Sequence, residues 1–362
     1  MSLLEILSFI PDPRQDYKIK YSLTTLLFTT LCAVLCGCQT WLDVSDFCEA
    51  KRSWLSQYVT LNQRIPSCWT FRRLFILLDP SLIEKLLLDV SDLLLKDNVS
   101  DHIAIDGKSQ RGSRRYNAKC LHSVSAWCHD HGLVLAQTSV AEGSHESKAI
   151  PLLLEHLNLI EATVSIDAAG CQPSLAQAIV EKGGNYVLAL KKNQPKTYAA
   201  LVQHIQDQSP CDHLIQDGWD DTHGRSVRRR YFAYDIKSLL LSTSWPGLKS
   251  VLAVESIRST KRTPVTSQWR YYLSSHNVDH PKLAQYIRHH WGIENKLHWV
   301  LDVQLREDND QKTERRSAKA FATLRRIALN IVKVKDQTPK RSTRRKMLRA
   351  SWCEESLLKL LI

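Results

Sequence analysis

The chain has 362 residues, of which 43% are hydrophobic and 24% are charged, and its formal net charge is +12 at pH 7. These proportions are those of an ordinary globular protein, so they exclude a disordered or low-complexity chain. The ten cysteines include no CxxC pair, which excludes a small disulfide-stapled domain and indicates reduced thiols in a cytoplasm.

The first hundred residues are predicted to be helical. Leucines recur at three- and four-residue intervals within residues 69–78 and 81–95, as they do on the buried face of a helix. The apolar stretch 21–38 contains four threonines and is barely as long as a membrane span, so we interpret it as a buried helix. We therefore expect an all-helical N-terminal domain and no membrane partner.

The pattern changes to a mixed α/β core at His102. Apolar strands are predicted at residues 102–105, 121–127, 133–140, 163–166 and 186–190, with helices at 151–157 and 173–182. Basic and aromatic residues with β-like alternation follow between 198 and 275. Helical character returns at 281–290, 294–303 and 321–334.

Two aspartates follow apolar strands directly, and a glutamate begins a later helix. Asp106 follows the strand at 102–105 and Asp167 follows the strand at 163–166, while Glu294 lies in the segment HWGIE. Carboxylates at strand ends are held rigidly and can bind Mg²⁺, which prefers oxygen ligands and often acts as a pair of ions in phosphodiester chemistry. An aspartate in this position can also simply cap a turn, and a helical glutamate can simply face solvent.

Longer sequence motifs surround these three acidic residues, and others lie elsewhere in the chain. They are residues 105–109 (IDGKS), 165–172 (SIDAAGCQ), 186–194 (YVLALKKNQ), 223–225 (HGR), 290–303 (HWGIENKLHWVLDV) and 324–330 (LRRIALN). In these words and their order the chain resembles DDE transposases of the IS4-like superfamily, within the insertion-sequence As1 group that includes H-repeat-associated proteins. The words extend over most of the chain, and the N-terminal helices resemble the domain associated with this family.

The resemblance implies an RNase H-like DDE catalytic domain at residues 99–335, with a β-rich insertion at about 198–275. A helical domain at 1–98 would precede it, and a basic tail at 336–362 would follow. Asp106, Asp167 and Glu294 would be the catalytic residues and would bind Mg²⁺ or Mn²⁺, as two ions.

The implied reaction is nicking at a transposon end followed by attack of the freed 3′-OH on another phosphodiester. The implied partners are the terminal inverted repeats and the target DNA. The resemblance further implies a homodimer in the synaptic complex and a cytoplasmic, nucleoid-associated location.

Several further residues are candidates for DNA contact. They are Lys108, His223, Arg225, Arg228, His298, Arg325 and Arg326. For Lys108 the alternative is an ordinary turn lysine, and for the basic stretch around Arg228 it is a hairpin without a specific contact. The chain departs from the wider superfamily at His290 and Leu301, where an arginine and a lysine are usual, so the phosphate-binding roles of those two residues are not carried over.

The positive charge is concentrated near the C-terminus. Residues 312–349 contain fourteen lysines and arginines against two acidic residues, a distribution that favours phosphate contact. Two other functions fit the same sequence. One is a catalytically silent, transposase-derived DNA-binding protein, and the other is an RNase H-like metal-dependent nuclease that does not join strands.

Overall fold

Helices form throughout the described part of the N-terminal hundred residues. They are α1 (Leu3–Ser8), α2 (Leu23–Leu35), α3 (Trp41–Ala50), α4 (Arg52–Leu55), α5 (Cys68–Leu77) and α6 (Pro80–Leu95). Helix α3 begins with a capping box, in which the Thr40 hydroxyl accepts the Asp43 N–H and the Asp43 carboxylate accepts the Thr40 N–H. Local sequence signals therefore set this helix start.

Helix α2 is a core helix, as its sequence predicted. All of its residues except Thr24 are buried, and several leucines, such as Leu26 and Leu31, have no exposed surface. Within the ranges that the structure describes, no helix is both long and apolar enough to cross a lipid bilayer.

The computed structural model describes residues 2–61, 64–95, 100–114, 119–208, 213–222, 225–236, 245–260 and 263–361. The chain divides into two units. Unit 1 comprises residues 1–99, 107–145 and 294–362, and unit 2 comprises residues 100–106 and 146–293. Both units contain helices and strand residues, which confirms the predicted mixed α/β fold.

Unit 1 is organised around its longest described helix, α11 (Arg315–Lys335), which packs against α6, α2, α5 and strand β3 (Leu133–Ser139). Strand β3 forms an antiparallel hairpin with β2 (Leu121–Cys128). The Asn330 side chain pins α11 to β3, because its amide nitrogen donates to the Val134 carbonyl (2.8 Å) and its oxygen accepts the Val134 N–H (2.9 Å). This buried amide leaves no polar backbone group of Val134 unpaired.

The segment predicted as a basic tail is helical. Its helices are α12 (Thr343–Trp352) and α13 (Glu354–Leu361). Met347 and Ala350 are buried on α12, and Leu357 and Leu360 are buried on α13. The two residues of each pair are three positions apart, which places them on the same helix face. Both helices are therefore amphipathic elements of unit 1.

Unit 2 contains the large sheet. Strands β1 (His102–Gln110), of which residues up to Asp106 belong to unit 2, β4 (Thr163–Ile166) and β5 (Asn185–Leu190) are parallel neighbours. Antiparallel strands extend the sheet from β5 in the order β9 (Thr263–Ser274), β8 (Ser250–Thr260), β7 (Arg225–Asp235) and β6 (Leu214–Thr222).

The helices of unit 2 are α7 (Glu146–Glu155), α8 (Pro173–Glu181), α9 (Pro195–Gln206) and α10 (Leu283–Gly292). Helix α10 packs its apolar face on the sheet, where Leu283 and Ile287 join a buried cluster with Val187, Leu252 and Tyr272. The four-residue spacing of Leu283 and Ile287 places both side chains toward the strands. This packing holds the C-terminal half of α10 close to the parallel strands.

One boundary differs from the sequence prediction. The β-like stretch was predicted from residue 198, but residues up to Gln206 belong to α9 and the strands begin at Leu214. Pro195 occupies the first helical position, where its missing N–H costs no hydrogen bond. Leu201 and Ile205 then bury one helix face, a pattern that the neighbouring basic and aromatic residues obscured.

Candidate active site

Asp106 and Asp167 lie side by side in unit 2. Strands β1 and β4 pair in parallel with Ile105 opposite Ile166. Asp106 is the next residue of β1, and Asp167 directly follows the end of β4. Neighbouring strands of a sheet are about 4.8 Å apart. Both side chains are partly buried. The register therefore places the backbones of these two predicted residues at neighbouring positions.

The chain turns away from the sheet at Asp167. Its Oδ1 accepts the Ala169 N–H at 2.9 Å and begins a short 3₁₀ helix, Ala168–Gly170. Burial raises the pKa of Asp167, and the negative charge of Glu146 raises it further. The backbone N–H groups of Ala169 and Gly170 and the charge of Lys191 oppose this rise without cancelling it. The site thus concentrates negative charge that a bound cation would neutralise.

Glu146 was missed by the sequence reasoning. It is the first residue of α7 and is half-buried, and its charge is felt at Asp167. No strand ends directly before it and none of the quoted family motifs contains it, so the sequence gives no signal for this position. Its proximity depends on the packing of α7 in unit 2.

A histidine–serine–histidine bridge joins three elements of unit 2. The Ser165 hydroxyl lies 2.8 Å from His102 Nε2 on β1 and 2.8 Å from His290 Nδ1 on α10. Because a hydroxyl has one proton, Ser165 can donate to one ring and accept an N–H from the other. His102 is four residues before Asp106, and Ser165 is two residues before Asp167. The bridge therefore fixes the two aspartate-bearing strands to the helix that leads to Glu294.

Glu294 begins unit 1's last segment, directly after α10. The helix predicted over 294–303 forms as two π-helical segments, Ile293–His298 and Val300–Gln304. π-Helical turns are rare and are often found at functional sites. The Glu294 side chain is exposed, and His298 is partly buried. The convergence of the Glu294 carboxylate with Asp106 and Asp167 stays a prediction.

Lys108 is buried in unit 1. Its side chain is 6% exposed, and Nζ lies 2.5 Å from Asp302 Oδ1, 3.6 Å from Glu307 Oε2 and 3.7 Å from Asp308 Oδ1. A lysine enclosed by three carboxylates cannot reach a phosphate in this conformation. The prediction that Lys108 contacts DNA is therefore corrected. Lys108 is a counterion for these three carboxylates.

Arg325 and Arg326 are interior residues, each about 1% exposed. Arg325 Nη1 donates to Asp310 Oδ2 at 2.7 Å, and Arg326 Nη1 donates to Glu307 Oε1 at 2.6 Å. Buried charges require such pairing because desolvation is costly. The interpretation of these two arginines as DNA contacts is wrong for this structure, in which they stabilise unit 1.

The predicted basic surface near the C-terminus is smaller than the sequence count suggested. Besides the two interior arginines, Lys312 and Lys333 are largely enclosed, and burial lowers the pKa of each to about 8. Exposed cations remain on α12, at Arg344, Arg345 and Arg349. Other exposed cations of the segment lie outside α12, at Arg316, Lys335 and Lys340, so the accessible positive charge is not confined to this helix.

Arg228 lies on β7 with its side chain 38% exposed. It donates to Asp217 from Nε (3.0 Å) and Nη2 (2.5 Å), and its guanidinium lies 5.7 Å from the Trp219 ring centroid. Asp217 offsets the charge of Arg228, so DNA contact here would require an exchange of partners. The predicted contact His223 lies outside the described residues, and Arg225 is described only as the first residue of β7.

A family model described as "Transposase DDE domain" matches residues 97–331, more than half of the chain. The chain belongs to the DDE transposase family. A second model, described as "DDE_Tnp_1-associated", matches residues 4–90. These matches confirm the resemblance that the sequence words indicated.

This DDE transposase is similar to the "H repeat-associated putative transposase YhhI" of Escherichia coli strain K12, with 34% identity over 361 residues that cover 96% of this chain and 94% of the relative. It is 33% identical over 344 residues to the "Putative transposase YncI" of Escherichia coli O157:H7, covering 92% of this chain and 87% of that one. A solved piggyBac transposase synaptic complex with hairpin DNA has a TM-score of 0.44 and 11% identity, covering 99% of this chain and 80% of that chain, a likeness too distant to carry an argument.

The stability of the transposase should depend on two histidines of unit 2, of which His276 is buried and His290 is half-buried. Burial lowers the pKa of His276 to about 4, aided by the charges of His280 and Lys249 and opposed by Asp101. Burial likewise lowers the pKa of His290 to about 4, against the opposing hydrogen bond with Ser165. Unfolding returns both rings toward an ordinary pKa of 6.5, so the unfolded chain binds more protons between these values.

The stability that these two histidines contribute is therefore expected to be complete above pH 6.5 and to be lost as the pH falls toward 4. The loss should reach about 3 kcal/mol for each histidine. Denaturant midpoints measured at several pH values would test this, with His276→Gln as the comparison. The variant should show a shallower pH dependence than the parent, and identical slopes would contradict the assignment of His276.

Proposed function

We propose that this chain is a DNA transposase in which Asp106, Asp167 and Glu294 hold two divalent ions at an RNase H-like catalytic core. It nicks DNA at the terminal inverted repeats of its element and joins the freed 3′-OH to target DNA. The observation that supports the proposal is the parallel register of β1 and β4, in which Ile105 and Ile166, the residues before the two aspartates, are Cα partners. Family membership supports the same assignment.

The carboxylates suit Mg²⁺ or Mn²⁺ because they offer hard oxygen donors. The raised pKa of Asp167 is a second point of fit, because burial and then the charge of Glu146 disfavour the ionised carboxylate, which a bound cation would stabilise. Bound divalent ions would supply activation of an attacking oxygen and stabilisation of a leaving oxygen.

The chain's own residues position these carboxylates. The N–H of Ala169 orients the Asp167 carboxylate, and the Ser165 bridge restrains the strands that carry both aspartates. Preorganised ligands of this kind avoid a reorganisation cost during the reaction. Glu294, at the end of the helix held by His290, would complete the set.

A DNA transposase of this kind acts on two ends at once, and we therefore propose a homodimer in the synaptic complex, in the cytoplasm and associated with the nucleoid. Exposed basic side chains on α12 and the strand residue Arg228 are proposed DNA contacts. Trp352, 77% exposed at the end of α12, offers an aromatic face beside these cations.

The test is a cleavage and joining assay on DNA that contains the element's terminal repeats. With Mg²⁺ we expect nicks at the repeat ends and joined products with a second DNA, and with a chelator neither. Cleavage without joined products would instead identify a nuclease. Binding without metal-dependent cleavage would identify a catalytically silent DNA-binding protein.

A further inference from the structure

A basic cleft lies in unit 1. Its walls are residues 13–21 on one side and residues 64–77, which include α5, on the other. Its volume is about 1230 Å³. The cations that line it are Arg14, Lys18, Lys20, Arg64 and Arg73, and no acidic side chain lines it among the described residues.

Arg14 serves the cleft as a structural residue. It donates to Asp12 from Nε (2.9 Å) and Nη2 (2.7 Å), and Nη2 also donates to the Tyr21 carbonyl (2.8 Å). Arg14 lowers the pKa of Asp12, which keeps that carboxylate charged. The other four cations are exposed. The cleft therefore retains an excess of positive charge after the Arg14–Asp12 pair is subtracted.

The two walls are tied together. The Tyr21 hydroxyl donates to the Arg64 carbonyl, and Tyr21 is 9% exposed. Helix α5 is anchored by the buried residues Phe71 and Phe75, which do not line the cleft, while the buried Leu74 does line it. The cations of the cleft are thus held on a supported scaffold.

Helix α5 presents a mixed face to the cleft. Thr70, Arg73 and Leu77 follow the three- and four-residue spacing of one helix face. Leu77 is 52% exposed, and Arg73 is exposed with its Nε donating to the Trp69 carbonyl at 3.3 Å. A hydroxyl and a cation on one face are donors of the type that contact phosphate oxygens.

The size and chemistry of the cleft favour a polymer over a small molecule. Ligand pockets for small molecules are usually about 300–1,000 Å³ and mainly apolar, whereas this cleft is larger and is lined by cations. Repeated phosphates along a nucleic-acid strand match several cations that are fixed on one scaffold.

We propose that this cleft binds the phosphodiester backbone of DNA and so gives the N-terminal helical region its own DNA-binding surface. The proposal deepens the proposed function and rests on it for the identity of the polymer. The contacts would position the duplex without reading its sequence, because cations and hydroxyls that meet phosphates carry no base information.

The test is DNA binding by the full chain in a chelator, so that cleavage does not interfere. A triple variant, Lys18→Gln/Arg64→Gln/Arg73→Gln, is compared with the parent by fluorescence anisotropy on a duplex of about 40 base pairs at several salt concentrations. We expect the variant's affinity to fall at least about tenfold. The slope of log K against log salt should decrease in magnitude by about 2.7, because each lost phosphate contact contributes about 0.9.

Two further variants keep the result interpretable. The matched control Lys85→Gln/Lys196→Gln/Lys359→Gln removes the same charge from exposed positions outside the cleft and should bind like the parent, except for a small general charge effect. The charge-retaining variant Lys18→Arg/Arg64→Lys/Arg73→Lys should keep both affinity and slope. If a thermal unfolding measurement shows that the first triple variant is misfolded, single glutamine substitutions replace it. Each single substitution is expected to change the slope by about 0.9.

Unchanged affinity and slope in the folded cleft variants would overturn the proposal, as would an equal loss in the control. The outcomes separate it from the catalytic assignment. If the parent cleaves DNA in a metal-dependent way and the cleft variants bind DNA like the parent, the proposed DNA-binding role of the cleft is rejected and the transposase function is kept. If the cleft variants lose DNA affinity and the parent shows no cleavage, the DNA-binding role of the cleft is kept and the catalytic proposal is rejected.

Discussion

Asp106→Ala, Asp167→Ala and Glu294→Ala are each expected to reduce cleavage at transposon ends on the order of 10³-fold or more, because each removes an oxygen ligand from a shared metal site. DNA affinity measured in a chelator should stay close to that of the parent. The measurement is the rate of nicked product under single-turnover conditions, with binding followed separately on the same DNA.

The matched control for these substitutions is Glu155→Ala, an exposed acid at the end of α7 in the same unit as the two aspartates. It should cleave like the parent. Near-normal cleavage by any one of the three variants would remove that residue from the site. If Glu294→Ala alone were active while both aspartate variants were silent, the third ligand would have to be sought elsewhere, with Glu146 as the first candidate because its charge acts on Asp167.

The second large effect concerns the interior of unit 1. Arg326→Met is expected to lower the free energy of unfolding by about 3–5 kcal/mol, because it leaves the Glu307 carboxylate buried without its closest partner. Glu307 and Arg326 are each 1% exposed and lie 2.6 Å apart. Lys108 Nζ, at 3.6 Å from Glu307, compensates only in part. Denaturant unfolding monitored by tryptophan fluorescence would measure the loss.

A double-mutant cycle makes this prediction specific to the pair. Arg326→Met/Glu307→Leu should be more stable than Arg326→Met alone, since apolar residues can replace a buried ion pair with little loss. The pairwise coupling should therefore be large. Strictly additive effects would show that the two side chains do not stabilise each other.

The secondary structure near the aspartates could be predicted well from local patterns. The strand at 163–166 was predicted with the observed bounds, because its four consecutive residues are buried and end directly before Asp167. The strand that begins at His102 was predicted too short, since β1 continues through Asp106 to Gln110. Its later residues pass through polar positions, such as Lys108, that turn out to be buried. Hydrophobicity alone does not reveal a buried charge that is paired.

The C-terminal helices were missed for a similar reason. The many lysines and arginines near residue 345 suggested a solvated tail, while the apolar pairs at Met347 and Ala350 and at Leu357 and Leu360 were too sparse to stand out. Packing within unit 1 supplies the remainder of the burial that stabilises these short helices.

The sequence by itself determined the family and the positions of Asp106 and Asp167 near the ends of apolar strand segments. Both are encoded locally, because family motifs and strand-end carboxylates consist of adjacent residues. Only the tertiary structure decided which charges are buried. Lys108 meets Asp302 across 194 residues of chain, and Arg325 and Arg326 are paired with Asp310 and Glu307 inside unit 1. A charged side chain reads as solvent-exposed in a sequence, and it becomes an interior residue only when folding brings an opposite charge to it and removes water from both.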